Sequence, residues 1–138
     1  MKVIKYNLNL IAMFMAITVI TAISNAQSKV SWKEKDDFHA VMSATFHPSE
    51  EGNLEPIKTR SGELAQRAKD WMDSKAPKEF DNSKVKKTLK KLYKNSVALD
   101  KMIKNGASDE KIKKSLSALH DIFHQIVEIC SHKDGEGH

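Results

Sequence analysis

The sequence predicts an all-α protein, an antiparallel up-down-up-down four-helix bundle, and three observations carry that expectation. Beyond residue 26, apolar side chains recur at alternating steps of three and four, and the two-residue alternation of strands is absent. Three short breaks at residues 48–53, 76–81 and 105–108 gather Pro, Gly, Asn and Ser. The four stretches they delimit are long enough for helices, and the connections are short enough to set consecutive helices side by side.

The first 26 residues stand apart from this pattern. Lys2 and Lys5 precede an apolar run over residues 10–23, and Ser24, Asn25 and Ala26 supply the small residues that signal peptidase requires. This reads as a secretory signal peptide, so the expected location is periplasmic or extracellular. Gln27 rather than a cysteine follows it, and no stop-transfer pattern appears, which argues against a lipid anchor and against stable membrane insertion. Residues 27–138 are then one domain.

Each helix has its own signature. Helix one, about residues 31–47, is the least regular, with Phe38, Val41, Met42 and Thr45 as its stripe. Helix two, about 54–75, carries Ile57, Ser61, Leu64, Ala68 and Trp71; Asn53 can cap it and Pro56 suits its first turn. Helix three, about 82–104, carries Val85, Leu89, Leu92, Ser96, Leu99 and Ile103 and can end on Asn105-Gly106. Helix four, about 109–130, carries Ile112, Leu116, Leu119, Phe123, Ile126 and Cys130, with Ser108, Asp109 and Glu110 at its start.

Composition narrows the function. The net charge is +5, and since Lys2 and Lys5 fall in the leader, residues 27–138 carry only +3. That is a mild bias, not the footprint of a nucleic-acid binder. Helix three is locally richer, with Lys84, Lys86, Lys87, Lys90, Lys91 and Lys94 around its apolar stripe. A solvated face explains this, with an acidic partner or an anionic membrane surface as the sharper reading. Cys130 is the single cysteine, which excludes an intrachain disulfide framework. Its place in the stripe favours a buried thiol, whereas an exposed one would allow a homodimer.

No Gly-x-Ser-x-Gly elbow and no His-Glu-x-x-His occurs, and Cys130 has no evident activating base, so the sequence does not point to an enzyme. The chemistry it does suggest is metal binding. His120 and His124 stand one turn apart, so both rings project from one helical flank, where each can offer a nitrogen to zinc, copper or nickel. His39 and Met42 fall on the matching flank of helix one, at nearly the same depth if helices one and four are antiparallel neighbours. His47 joins a four-histidine site if the chain unwinds before Pro48, and Glu51 can then add a carboxylate from the loop. Cys130, followed by His132, is a weaker ligand candidate. Asp121 or Glu128 can orient a ring from behind. The bland alternative is polar histidines at the edge of a hydrophobic core.

The run Ala118-Leu119-His120-Asp121-Ile122-Phe123 near the end of an exported bundle resembles the cytochrome c-prime and soluble cytochrome b superfamily. In the c-prime members this helix carries Cys-x-x-Cys-His. Here Leu116 and Leu119 stand at the cysteine positions and His120 at the ligand, so the resemblance excludes covalent haem. The b-type members imply a noncovalent haem held by Met42 with His120 or His124. His39, His47 and the second histidine of helix four depart from that pattern and favour a haemless metal-binding relative. A metal-free interaction module is the third reading.

Overall fold

The computed structural model describes residues 30–131, which fold into four helices and one short 3-10 turn, with no strand among them. The expected signal peptide and His132 lie outside the described residues. The helices are α1 (Lys33–Glu50), α2 (Glu55–Asp73), α3 (Ser83–Lys104) and α4 (Asp109–Ser131), with the turn at Lys78–Phe80. They form a four-helix bundle: α1 packs on α2, α2 on α3 and α3 on α4, while α4 meets α1 across a looser seam.

The stripes read from the sequence face one core. Phe38, Met42, Ile57, Ala68, Trp71, Val85, Leu92, Leu116, Leu119 and Ile126 are fully buried. At roughly 1.5–3 kcal/mol for each large aliphatic or aromatic side chain withdrawn from water, this burial drives assembly. Where the stripe turns polar, the hydroxyls bond within their own helices, except that Ser61 of α2 donates to Asp100 of α3 at 2.8 Å. Thr45 donates to the Val41 and Met42 carbonyls, Ser49 to Phe46 and Ser96 to Leu92, so none carries an unmet desolvation cost.

The helix ends follow local chemistry. The Asn82 side chain accepts the Val85 N–H at 2.9 Å and caps α3. The Asn53 side chain accepts from the Glu55 N–H, one residue before the backbone turns helical at α2. At the end of α1, Gly52 (φ +88°) lets its own N–H reach the Ser49 carbonyl and the Asn53 N–H reach Pro48. The end of α3 repeats the motif: Gly106 (φ +74°) bonds Ile103 and Ala107 bonds Met102.

Two expectations need correction. Helix one does not unwind before Pro48; it runs on to Glu50. The N–H that Pro48 lacks would have served Ala44, an exposed residue whose carbonyl is within reach of solvent, so the proline is tolerated in the last turn. The break at 76–81 is also more than a loop, because Phe80 in the 3-10 turn is only 8% exposed and stacks on Trp32 with 6.2 Å between ring centroids. Trp32, just before α1, meets Trp71 edge to face at 5.6 Å and donates its indole N–H to Ser74 at 2.8 Å. An aromatic cluster of Trp32, Phe38, Trp71, Phe80 and Phe123 thus closes one end of the bundle.

Candidate functional site

The loose seam between α1 and α4 is filled by rings. Phe46 of α1 lies flat on His120 of α4, with 3.8 Å between centroids and 8° between planes. Phe123 of α4 lies parallel to His39 of α1 at 5.0 Å. The two stacks are complementary: each helix contributes one phenylalanine to the core edge and one histidine that covers the other helix's phenylalanine. His47 stands edge-on to Phe46 at 5.8 Å, and His124 edge-on to Phe123 at 5.5 Å. His39, His120 and His124 therefore line one seam, and His47 stands exposed at its edge beside Phe46.

Within it, one pair converges. The Nε2 atoms of His120 and His124 are 3.1 Å apart, which allows an N–H···N hydrogen bond when one ring donates and the other accepts. With ligand bonds of about 2.0–2.1 Å, two nitrogens 3.1 Å apart subtend an N–metal–N angle of about 100° at a shared ion, between square and tetrahedral values. Burial in the seam pushes the His120 imidazole below its usual range and the His124 charge adds to that, while Asp121 and Glu50 oppose it and His47 reinforces it.

The remaining candidates are dispersed. His47 is exposed, and its Nδ1 faces Glu50 Oε2 at 3.4 Å. His39 is held against Phe123. Glu51 is exposed beyond the end of α1 and does not turn into the seam as the loop reading required, because the helix persists through Pro48. Met42, read both as a stripe residue and as a flank candidate, is 0% exposed and belongs to the stripe, because Phe46 on its side of α1 is buried as well. Cys130 is 8% exposed, in the last turn of α4, and so joins the core as its stripe implies. Among the described residues, no three His, Cys, Asp or Glu side chains stand together closely enough to enclose an ion as they are placed. The expected convergence is thus seen as a seam and a pair, not as an assembled cage.

The residues do not fit a haem. Met42 is enclosed in the core, so its sulfur is not open to a haem shared with either His120, which Phe46 covers, or His124, which is exposed. A groove of about 400 Å³, lined by Lys84, Thr88, Gln125, Glu128 and Ile129, lies elsewhere, between α3 and α4.

The sequence identified the four histidines but missed Phe46, Phe123 and Glu50 as their partners. Phe123 was legible only as a stripe residue of helix four and Phe46 fell outside the stripe read for helix one, while Glu50 lay beyond the expected end of its helix. Comparison with family models, curated proteins and solved structures gives no match.

Proposed function

We propose that the protein binds a divalent transition-metal ion through His120 and His124, with His47 completing the protein ligands after a side-chain rotation. The observation that carries this reading is the 3.1 Å approach of the two Nε2 atoms on one flank of α4. His47 is the third ligand of choice because it is exposed, stands edge-on to the Phe46 ring that stacks on His120, and can keep Glu50 as an outer partner on its Nδ1. His39 serves the site from behind, by clamping Phe123.

An up-down-up-down arrangement supports the geometry. Trp32 at the start of α1 meets Ser74 after α2, Lys58 early in α2 pairs with Asp109 at the start of α4, and Phe38 and Phe46 meet Phe123 and His120 in reversed order. The composition of residues 1–26 supports export, where the protein would meet metal outside the reducing cytosol.

The test is a titration of zinc, copper(II) and nickel into chelator-stripped, tag-free protein spanning residues 27–138, which contains every core residue named above. His120→Ala and His124→Ala should each weaken binding by more than the roughly 10- to 100-fold typical of losing an outer-shell partner. His47→Ala should weaken it less, and His39→Ala least. Affinity should fall as pH drops through the imidazole range, since a protonated ring cannot ligate. Equal affinity in His120→Ala and the parent would sink the proposal. A second reading, a metal-free module whose histidines simply pad the seam, is favoured by the two ring stacks; it predicts no metal response at all.

A further inference from the structure

A second feature lies across the bundle from α1, on α3. This helix holds eight lysines and one acid, Asp100, whereas the whole of residues 27–138 carries only +3, so the rest of the domain is net negative. The lone acid does not neutralise the face, because Asp100 is already engaged by Lys104 and Ser61. Charges on α1 and α2 are instead paired locally, as in Lys35 with Asp36, Arg60 with Glu63 and Lys69 with Asp73. Among the described residues, Lys87, Lys90, Lys91, Lys94 and Lys101 are exposed and make no ion pair.

We infer that the α3 lysine face is a docking surface for an anionic lipid bilayer. Lys87, Lys91 and Lys94 share one flank of the helix by their spacing, with Lys90 beside them, and from Lys87 to Lys101 the row extends about 21 Å along the axis. That is an extended, convex array of point charges, suited to a broad anionic plane and not to a small anion held in a pocket. The cations of α3 are all lysine, so the bidentate geometry by which arginine selects individual phosphates or carboxylates is missing. No large aromatic is exposed there to stack on bases, and the exposed large hydrophobic of the described chain is Val30, outside α3. Attraction without an apolar anchor means reversible, salt-screened adsorption without insertion. Because α3 packs on α2 and α4, docking leaves the α1 side of the histidine seam turned toward solution.

The test is flotation of residues 27–138 with phosphatidylcholine vesicles containing about one-third phosphatidylglycerol, against pure phosphatidylcholine, at low and high salt. Each lysine near an anionic surface contributes about a fivefold factor in affinity, so the triple variant Lys87→Gln, Lys91→Gln, Lys94→Gln should bind roughly a hundredfold more weakly. Lys33→Gln, Lys69→Gln, Lys75→Gln, with the same charge change on and after α1 and α2, should stay near the parent. Circular dichroism checks that both fold. Equal binding to pure phosphatidylcholine, survival of binding in about 0.5 M salt, where the screening length falls below 5 Å, or an equal loss in the control triple would each overturn the proposal. So would binding to an acidic protein or a heparin oligosaccharide without binding to vesicles.

Discussion

Asp100 shows at the scale of one residue how opposing effects are resolved. Burial favours its neutral acid, but hydrogen bonds from Lys104 at 2.6 Å and from Ser61 of α2 at 2.8 Å outweigh that and hold the carboxyl below its ordinary range. A carboxylate depressed in the folded state contributes stability that is present above the unfolded value and is lost as pH falls through the folded one. Asp100→Asn keeps the shape and an acceptor for Ser61 but removes the charge. It should cost about 1 kcal/mol at neutral pH and flatten the acid limb of stability as pH falls from the unfolded carboxylate value of about 3.9. Urea midpoints measured across that fall check it, and parallel curves for parent and variant would refute it.

At the scale of the elements, glycine decides where two helices stop. Gly52 and Gly106 both have φ in the left-handed region, with nothing within 4 Å of an added Cβ, so a substitution there is strained by backbone conformation alone. Gly52→Ala and Gly106→Ala should each lower stability by about 1 kcal/mol through strain, even though packing has room for the methyl. Denaturant midpoints measure this, and an unchanged midpoint would mean that the helix end relaxes. The same elements show what periodicity reveals. The stripes of α2, α3 and α4 were legible because a single flank is buried, and Asn53 and Gly106 mark two of the helix ends in plain chemistry, whereas the Asn82 cap of α3 shows only in its hydrogen bond to Val85. α1 was harder: its buried set of Phe38, Val41, Met42, Thr45 and Phe46 is broad, which keeps Met42 in the stripe and off the flank. Pro48 suggested a stop that the solvent-facing position of Ala44 made unnecessary. His39, His120 and His124 could be assigned to one seam by phase and depth, whereas His47 was tied to it only by an unwinding before Pro48 that the helix does not make; ring stacking on Phe46 and Phe123 depends on side-chain torsions that spacing does not encode.

For the whole molecule, the question is whether a metal ion would tie α1 to α4, the neighbours that pack least closely. An ion held by His120 and His124 alone sits within one helix, and a helical fragment of the unfolded chain could bind it too. Adding His47 makes the site depend on the folded bundle. A ligand that binds only the folded state at 100 times its dissociation constant stabilises by about 2.7 kcal/mol. For a domain near 100 residues that corresponds to a rise in Tm on the order of 10 °C. Affinity for the unfolded chain subtracts from this gain, and at a fixed multiple of each protein's own dissociation constant no other difference in affinity enters. Parent and His47→Ala should therefore be heated with metal at 100 times their respective dissociation constants. If His47 bridges the seam, the parent should show the full rise and His47→Ala a smaller one, because the pair left on α4 also binds the unfolded chain. Equal rises would place the ion on α4 alone and leave His47 as a partner of Glu50 only.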